Sequence, residues 1–219
     1  MTVNEDFADA GRVLSHAGLV TAFGHVSART APDELVITPP RPLAQVDAGS
    51  PFVTVQTTAV ELPPGAAKES WIHLAIAARR PDVMAICRAQ PETATALASA
   101  GVPIRPLHGQ GSFVGPEVPV FDDPRLVRDR ARAERLVDTL GEAPAVIMRG
   151  NGAVTVGTSV AHAVARMWVL EASARINATA AAAGRTTTLT ADEQSAWRHT
   201  EIELCERIWA HLRPTLQNH

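Results

Sequence analysis

Glu69 and His73 stand four residues apart, the i, i+4 spacing that sets two side chains on one helix face. Such a pair can move a proton or offer two ligands to a metal, although two ligands alone make a poor site. Glu69 also opens the helical segment, where a carboxylate complements the helix dipole and can cap free N–H groups. Arg88 closes an apolar run and is a permanent cation; ordinarily such a residue is a solvated strand end. Gln90 and Asn151 can orient oxygens or serve as turn residues, and Asn151 lies between Gly150 and Gly152, which suits a tight turn needing positive φ. His108, in the loop His108-Gly109-Gln110-Gly111, carries an imidazole that titrates near neutrality. It follows the Arg88 strand by one helix, so the expectation is that it reaches the same cleft. Cys87 reads as a small buried hydrophobe beside Arg88. Trp71, Trp168, Trp197 and Trp209 read as core or interface aromatics, and His162, His199, His211 and His219 as surface or helical residues.

These residues must be placed by strands and helices. Phe7, Ala10, Val13, Leu14 and Ala17 follow a helical period that stops at Gly18. Short β-type runs over 25–29, 35–38 and 52–56 are separated by Pro- and Asp-rich turns. The spacing predicts a helix over 70–80, a buried strand over 83–87, a helix over 92–100, and a helix over 125–140. Between them, 103–124 is Pro- and Gly-rich loop with a brief strand near 118–120. A strand pair over 145–149 and 153–156 turns at Gly150-Asn151-Gly152, a long helix spans 160–183, and Thr190 caps a last helix over 190–213. Strands joined both by tight turns and by helices imply a mixed or antiparallel sheet covered on both faces. No internal repeat or domain boundary stands out, so one domain over 1–219 is expected.

The net charge of −3 argues against broad electrostatic capture of nucleic acid. No uncharged run approaches the roughly 18 residues that span a bilayer. Two distant cysteines and an acidic N-terminal segment fit a cytoplasmic protein without disulfides.

Five segments, taken in order, resemble the class II aldolase/adducin family: Ala22-Phe23-Gly24-His25-Val26-Ser27, Val36-Ile37-Thr38-Pro39, Lys68-Glu69-Ser70-Trp71-Ile72-His73, Arg88-Ala89-Gln90-Pro91 and Arg149-Gly150-Asn151-Gly152-Ala153. The resemblance implies an α/β fold, a three-layer α/β/α sandwich, and a homotetramer with active sites between subunits. Typical members bind zinc through a glutamate and three histidines and act on sugar phosphates. Glu69 corresponds to the family's glutamate, whereas Arg88-Ala89-Gln90 replaces its His-x-His and Gly150-Asn151-Gly152 its Asn-His-Gly. Arginine cannot ligate a metal, and amides are weak oxygen donors. The expectation is therefore a lost zinc site and no cofactor, with an iron or manganese site from Glu69, His73 and His108 left open. Ala67-Lys68 replaces a serine pair and Pro40-Arg41 a Ser-Gly, so a phosphate pocket becomes a cationic one suited to a carboxylate. His25 stands where the family usually has asparagine. No tyrosine exists to donate a proton.

Two functions follow from the resemblance. One is a lyase or decarboxylase-like enzyme for a small non-phosphorylated carboxylate, with Glu69, His108 and Arg88 catalytic and Gln90, Asn151, Lys68, His25, Arg41 and Ser27 binding substrate. The other is an inactive, adducin-like binding or assembly protein.

Overall fold

The computed structural model describes residues 2–213, so His219 lies outside the described residues. Seven strands, β1 (His25–Ala31), β2 (Glu34–Ile37), β3 (Val53–Gln56), β4 (Ala85–Ala89), β5 (Val120–Phe121), β6 (Ala145–Met148) and β7 (Gly152–Gly157), form one sheet. Their order is β3-β2-β1-β4-β7-β6-β5. All neighbours run antiparallel except β5 and β6. The mixed sheet is thus the expected one, and helices cover both faces in an α/β/α sandwich.

Strand alternation sorts the residues between two cores. Val26 and Ala28 of β1 and Cys87 and Ala89 of β4 face a core shared with α1 (Val3–His16), α3 (Glu92–Ser99), α5 (Val160–Ala183) and α7 (Glu201–Leu212). Ile86 of β4 and Val154 and Val156 of β7 face a second core, filled from α2 (Ser70–Arg79) and α4 (Arg130–Leu140) by Ile72, Ile76, Leu136 and Val137. By the same parity His25, Ser27 and Arg88 point to the α2 side. Successive side chains of a strand point to opposite faces, so a one-residue slip would put Arg88 into the α5 core and is disallowed.

Three departures from the sequence-based expectation bear on the rest of the structure. Helix α4 starts at Arg130, not near 125, because the Asp129 carboxylate accepts from the Arg132 N–H and caps it there. The preceding residues form a loop in which Arg125 and Arg132 both bond Asp123. Strand β4 runs to Ala89, so Arg88 belongs to the strand rather than following it. The last helix is two: α6 (Ala191–Arg198) and α7. Thr200 turns back between them, its N–H and hydroxyl both bonding the Trp197 carbonyl. Cys205, Ile208 and Trp209 of α7 join the core around α5.

Two helix starts were legible and hold. Thr190 and Glu193 bond each other's backbone N–H groups in a reciprocal cap, and Ser159 caps α5 through the His162 N–H.

Candidate active site

The ends of β1, β4 and β7 meet the start of α2 around a cleft of about 590 Å³. His25 and Arg88 are direct partners across β1 and β4, so their side chains rise from the same sheet face. Arg88 is buried, 2% exposed, yet lines the cleft. Its terminal Nη2 donates to the Asn151 carbonyl at 3.1 Å and to Asn151 Oδ1 at 2.9 Å. Among the described residues its Nε has no partner, and neither has Asn151 Nδ2. Two residues that line the cleft therefore each keep a buried donor without an acceptor, an arrangement that costs free energy. Burial favours the neutral form of Arg88, partly offset by the Glu69 charge.

The Asn151 turn owes its shape to its flanking glycines. Gly150 and Gly152 take φ of 71° and 96°, so Asn151 itself needs no positive φ. A Cβ at position 152 would lie 2.2 Å from the Ala89 carbonyl oxygen. Only glycine lets the turn lie against the end of β4, and that contact places Asn151 on Arg88.

Glu69 precedes α2 with no side-chain cap bond. Its carboxylate faces the cleft instead, 3.7 Å from Arg128. The capping role open to it in the sequence is not used. Lys68 and Arg41 line the same cleft from exposed positions, and Gln90 reaches it from the end of β4. The walls are apolar: Phe23, Pro40, Pro42 and Leu126, with Phe23 66% and Leu126 41% exposed.

His25 also lines the cleft. Its Nδ1 lies 2.9 Å from His73 Nε2, and His73 Nδ1 lies 2.7 Å from Ser27 Oγ. Ser27 therefore stands behind the cleft, one imidazole deeper than expected. Burial, then the neighbouring His73 and the Arg88 charge, push His25 well below the usual histidine range. Burial and Arg88 lower His73 to about 3, so both rings are neutral.

Several expectations need correction. His108 does not line this cleft; its Nε2 lies 2.9 Å from Ser173 Oγ of α5, because the chain after α3 turns toward the α5 core. The trio Glu69, His73 and His108 is not assembled either, since both His73 nitrogens are engaged with His25 and Ser27. His162, expected at the surface or on a helix, lies on α5 and is buried. Arg128, Phe23 and Leu126 were missed. Arg128 sits among Arg125, Arg130 and Arg132, a density that a helical reading assigns to a solvated face.

Does the cleft fit the family's zinc? Its donors are Glu69, one neutral imidazole, and amides, and the guanidinium of Arg88 stands among them. Asn151 Oδ1 is already spent on that guanidinium. This set does not fit zinc. Among the described residues, three metal-capable groups lie close together only at His162, Glu201 and Cys205, outside the cleft. There the Thr158 N–H donates to His162 Nδ1, which leaves the proton on Nε2, facing Glu201 at 3.1 Å. Arg166 bonds the same carboxylate oxygen at 2.7 Å. Burial favours the neutral acid at Glu201, but His162 and Arg166 outweigh it and hold the pKa low. That network ties α7 to α5.

The sequence signature of the class II aldolase and adducin N-terminal domain matches residues 5–178. This chain belongs to the class II aldolase/adducin family. It is 32% identical over 192 residues, 81% of this chain and 80% of the relative, to a protein of Terrabacter sp. (strain DBF63) named 3,4-dihydroxyphthalate decarboxylase. A protein of the same name from Arthrobacter keyseri is 27% identical, with 94% of each chain covered. Among solved structures, L-fuculose-1-phosphate aldolase of Thermus thermophilus superposes with a TM-score of 0.71 at 29% identity, over 80% of this chain and 92% of that one.

Proposed function

We propose that this protein is a carbon–carbon lyase that decarboxylates a small, non-phosphorylated, hydroxylated aromatic acid, as the name of its decarboxylase relatives suggests. The observation that carries this reading is Arg88: a buried guanidinium at the cleft with one donor unspent. A guanidinium matches an oxyanion by planar, charge-assisted hydrogen bonds. Phe23, Pro40, Pro42 and Leu126 offer flat apolar surface for a ring, while Lys68 and Arg41 add charge at the mouth for a second carboxylate. The absent serine pair and the proline in the phosphate turn disfavour a sugar phosphate.

Decarboxylation places an electron pair on the carbon that loses CO₂. When that carbon first takes a proton from a neighbouring ring hydroxyl, the ring becomes a ketone, and the pair released with CO₂ runs onto the ketone oxygen as the ring is restored. Arg88 stabilises the developing oxyanion from a fixed position, which is where such groups gain most. Asn151 Nδ2 and Gln90 orient the substrate's oxygens. Glu69, set against Arg128, passes a proton from water to the product oxygen once CO₂ has left. A non-catalytic assembly role gives no reason for two unspent buried donors beside exposed cations.

The chain acts as one domain and assembles as the homotetramer that the family resemblance implies, in the cytoplasm. The exposed apolar groups Ile176, Trp197 and Ile202 support contact with further chains. Light scattering on the purified protein measures the assembly.

The experiment for function is incubation of the purified protein with 3,4-dihydroxyphthalate, following CO₂ release and the dihydroxybenzoate product by chromatography. CO₂ release that disappears in Arg88→Ala supports the reading. No CO₂ from this compound or from related hydroxybenzoates refutes it.

A further inference from the structure

We propose that His25 is the proton-transfer residue of the cleft, and that His73 and Ser27 are positioning residues that hold it. The inference rests on the reading of the cleft as a site for a hydroxylated aromatic acid. His25 is the one imidazole lining the cleft, and it comes from the strand directly opposite Arg88. Its Nε2 has no partner among the described residues, while its Nδ1 is fixed by His73 and His73 by Ser27. The three side chains form a line from the core to the cleft wall, fully or nearly fully buried. A ring fixed at Nδ1 has only one nitrogen left for chemistry, and that nitrogen faces the substrate's space.

A neutral imidazole can take a proton at Nε2 when its own proton sits on Nδ1 and is donated to His73. The charged groups facing it are Arg88 from β4, Glu69 and Lys68 before α2, and Arg41 and Arg128 from loops. Burial and the Arg88 charge oppose a second proton, so His25 is neutral and ready to accept well below pH 6.5. A substrate carboxylate on Arg88 offsets that opposition and makes the imidazolium accessible during turnover.

The step balances as follows. His25 Nε2 removes the proton of the ring hydroxyl that neighbours the carboxylate-bearing carbon. It returns that proton to this carbon, one bond away, so the C–H bond forms and the ring becomes a ketone. The C–CO₂ bond then breaks, CO₂ leaves, and its electron pair restores the ring with the negative charge on the former hydroxyl oxygen. A proton from water completes the product.

The test uses the full-length protein, 3,4-dihydroxyphthalate for turnover, and 2-hydroxybenzoate as a binding probe followed by calorimetry. His25→Asn is expected to lower kcat by about 10²-fold, as for loss of a general base, with the Kd of 2-hydroxybenzoate nearly unchanged. His73→Ala lowers kcat as well, and His73→Gln, whose amide can still hold His25 Nδ1, recovers part of it. Wild-type kcat in His25→Asn overturns the proposal, as do equal rates in the two His73 variants. Nitrogen-15 NMR of the imidazoles decides the matter without turnover. His25 should stay neutral at pH 5 and its Nε2 signal should move on adding 2-hydroxybenzoate. A His25 that titrates near 6.5 and ignores the probe sinks the inference, even if CO₂ is released. A protein that passes the NMR test but releases no CO₂ fails in its proposed reaction, not in the placement of His25.

Discussion

Arg88 shows how much one side chain can carry. Its place at the cleft was legible because the residue type was incompatible with the ligand position that it fills. Its partners were not: contact with Asn151 spans 63 residues and depends on the close approach of Gly152 to β4. Replacement by alanine should lower kcat/KM by about 10²- to 10³-fold, the usual loss of one donor to a developing oxyanion. Arg88→Lys should not restore it, because a compact ammonium cannot bond Asn151 and also present a planar fork. Steady-state kinetics on 3,4-dihydroxyphthalate checks both. Asn151→Asp sets a carboxylate where Oδ1 lies 2.9 Å from the guanidinium, and should weaken carboxylate binding more than Asn151→Ala does. Calorimetry with 2-hydroxybenzoate measures this difference.

Between elements, the His25–His73 contact joins β1 to α2 through buried, neutral rings. In the unfolded chain these histidines take protons near pH 6.5. In the folded protein both pKa values are depressed, His73 to about 3. Their contribution to stability is whole above pH 6.5 and falls as the pH drops below it, by roughly 1.4 kcal/mol per pH unit for each ring. Urea unfolding between pH 7 and 4.5 should show this slope, and His73→Gln should make it shallower. At the other edge of the cleft, Gly152→Ala should destabilise the fold by about 1–3 kcal/mol or more, because it combines positive φ with a backbone clash. The same urea midpoints report it. Helical and strand periods made most elements readable, including the full span of α5. The late start of α4 and the break before α7 were not readable, since both depend on side-chain bonds to the backbone, from Asp129 and Thr200, that apolar periodicity does not reveal. The contact between His25 and His73 likewise showed no local signal; only the register of β1 against β4 and the packing of α2 bring them together.

Over the whole molecule, the donors around the cleft do not fit zinc, and this has a direct test. Protein dialysed against a strong chelator should retain its decarboxylase turnover, and added zinc should not raise it; a loss of rate that zinc restores would refute this. The overall architecture was legible from segment order, while the missing site residue Arg128 was hidden in a run of arginines that looks like an ordinary wetted surface. A guanidinium anchored in a strand arrives with the polypeptide itself. It cannot be starved out of the cell, exchanged for a competing ion, or stripped away by adjacent ring hydroxyls, which are strong chelators. An enzyme built on Arg88 could therefore meet high concentrations of catechol-like compounds without surrendering the charge on which it depends.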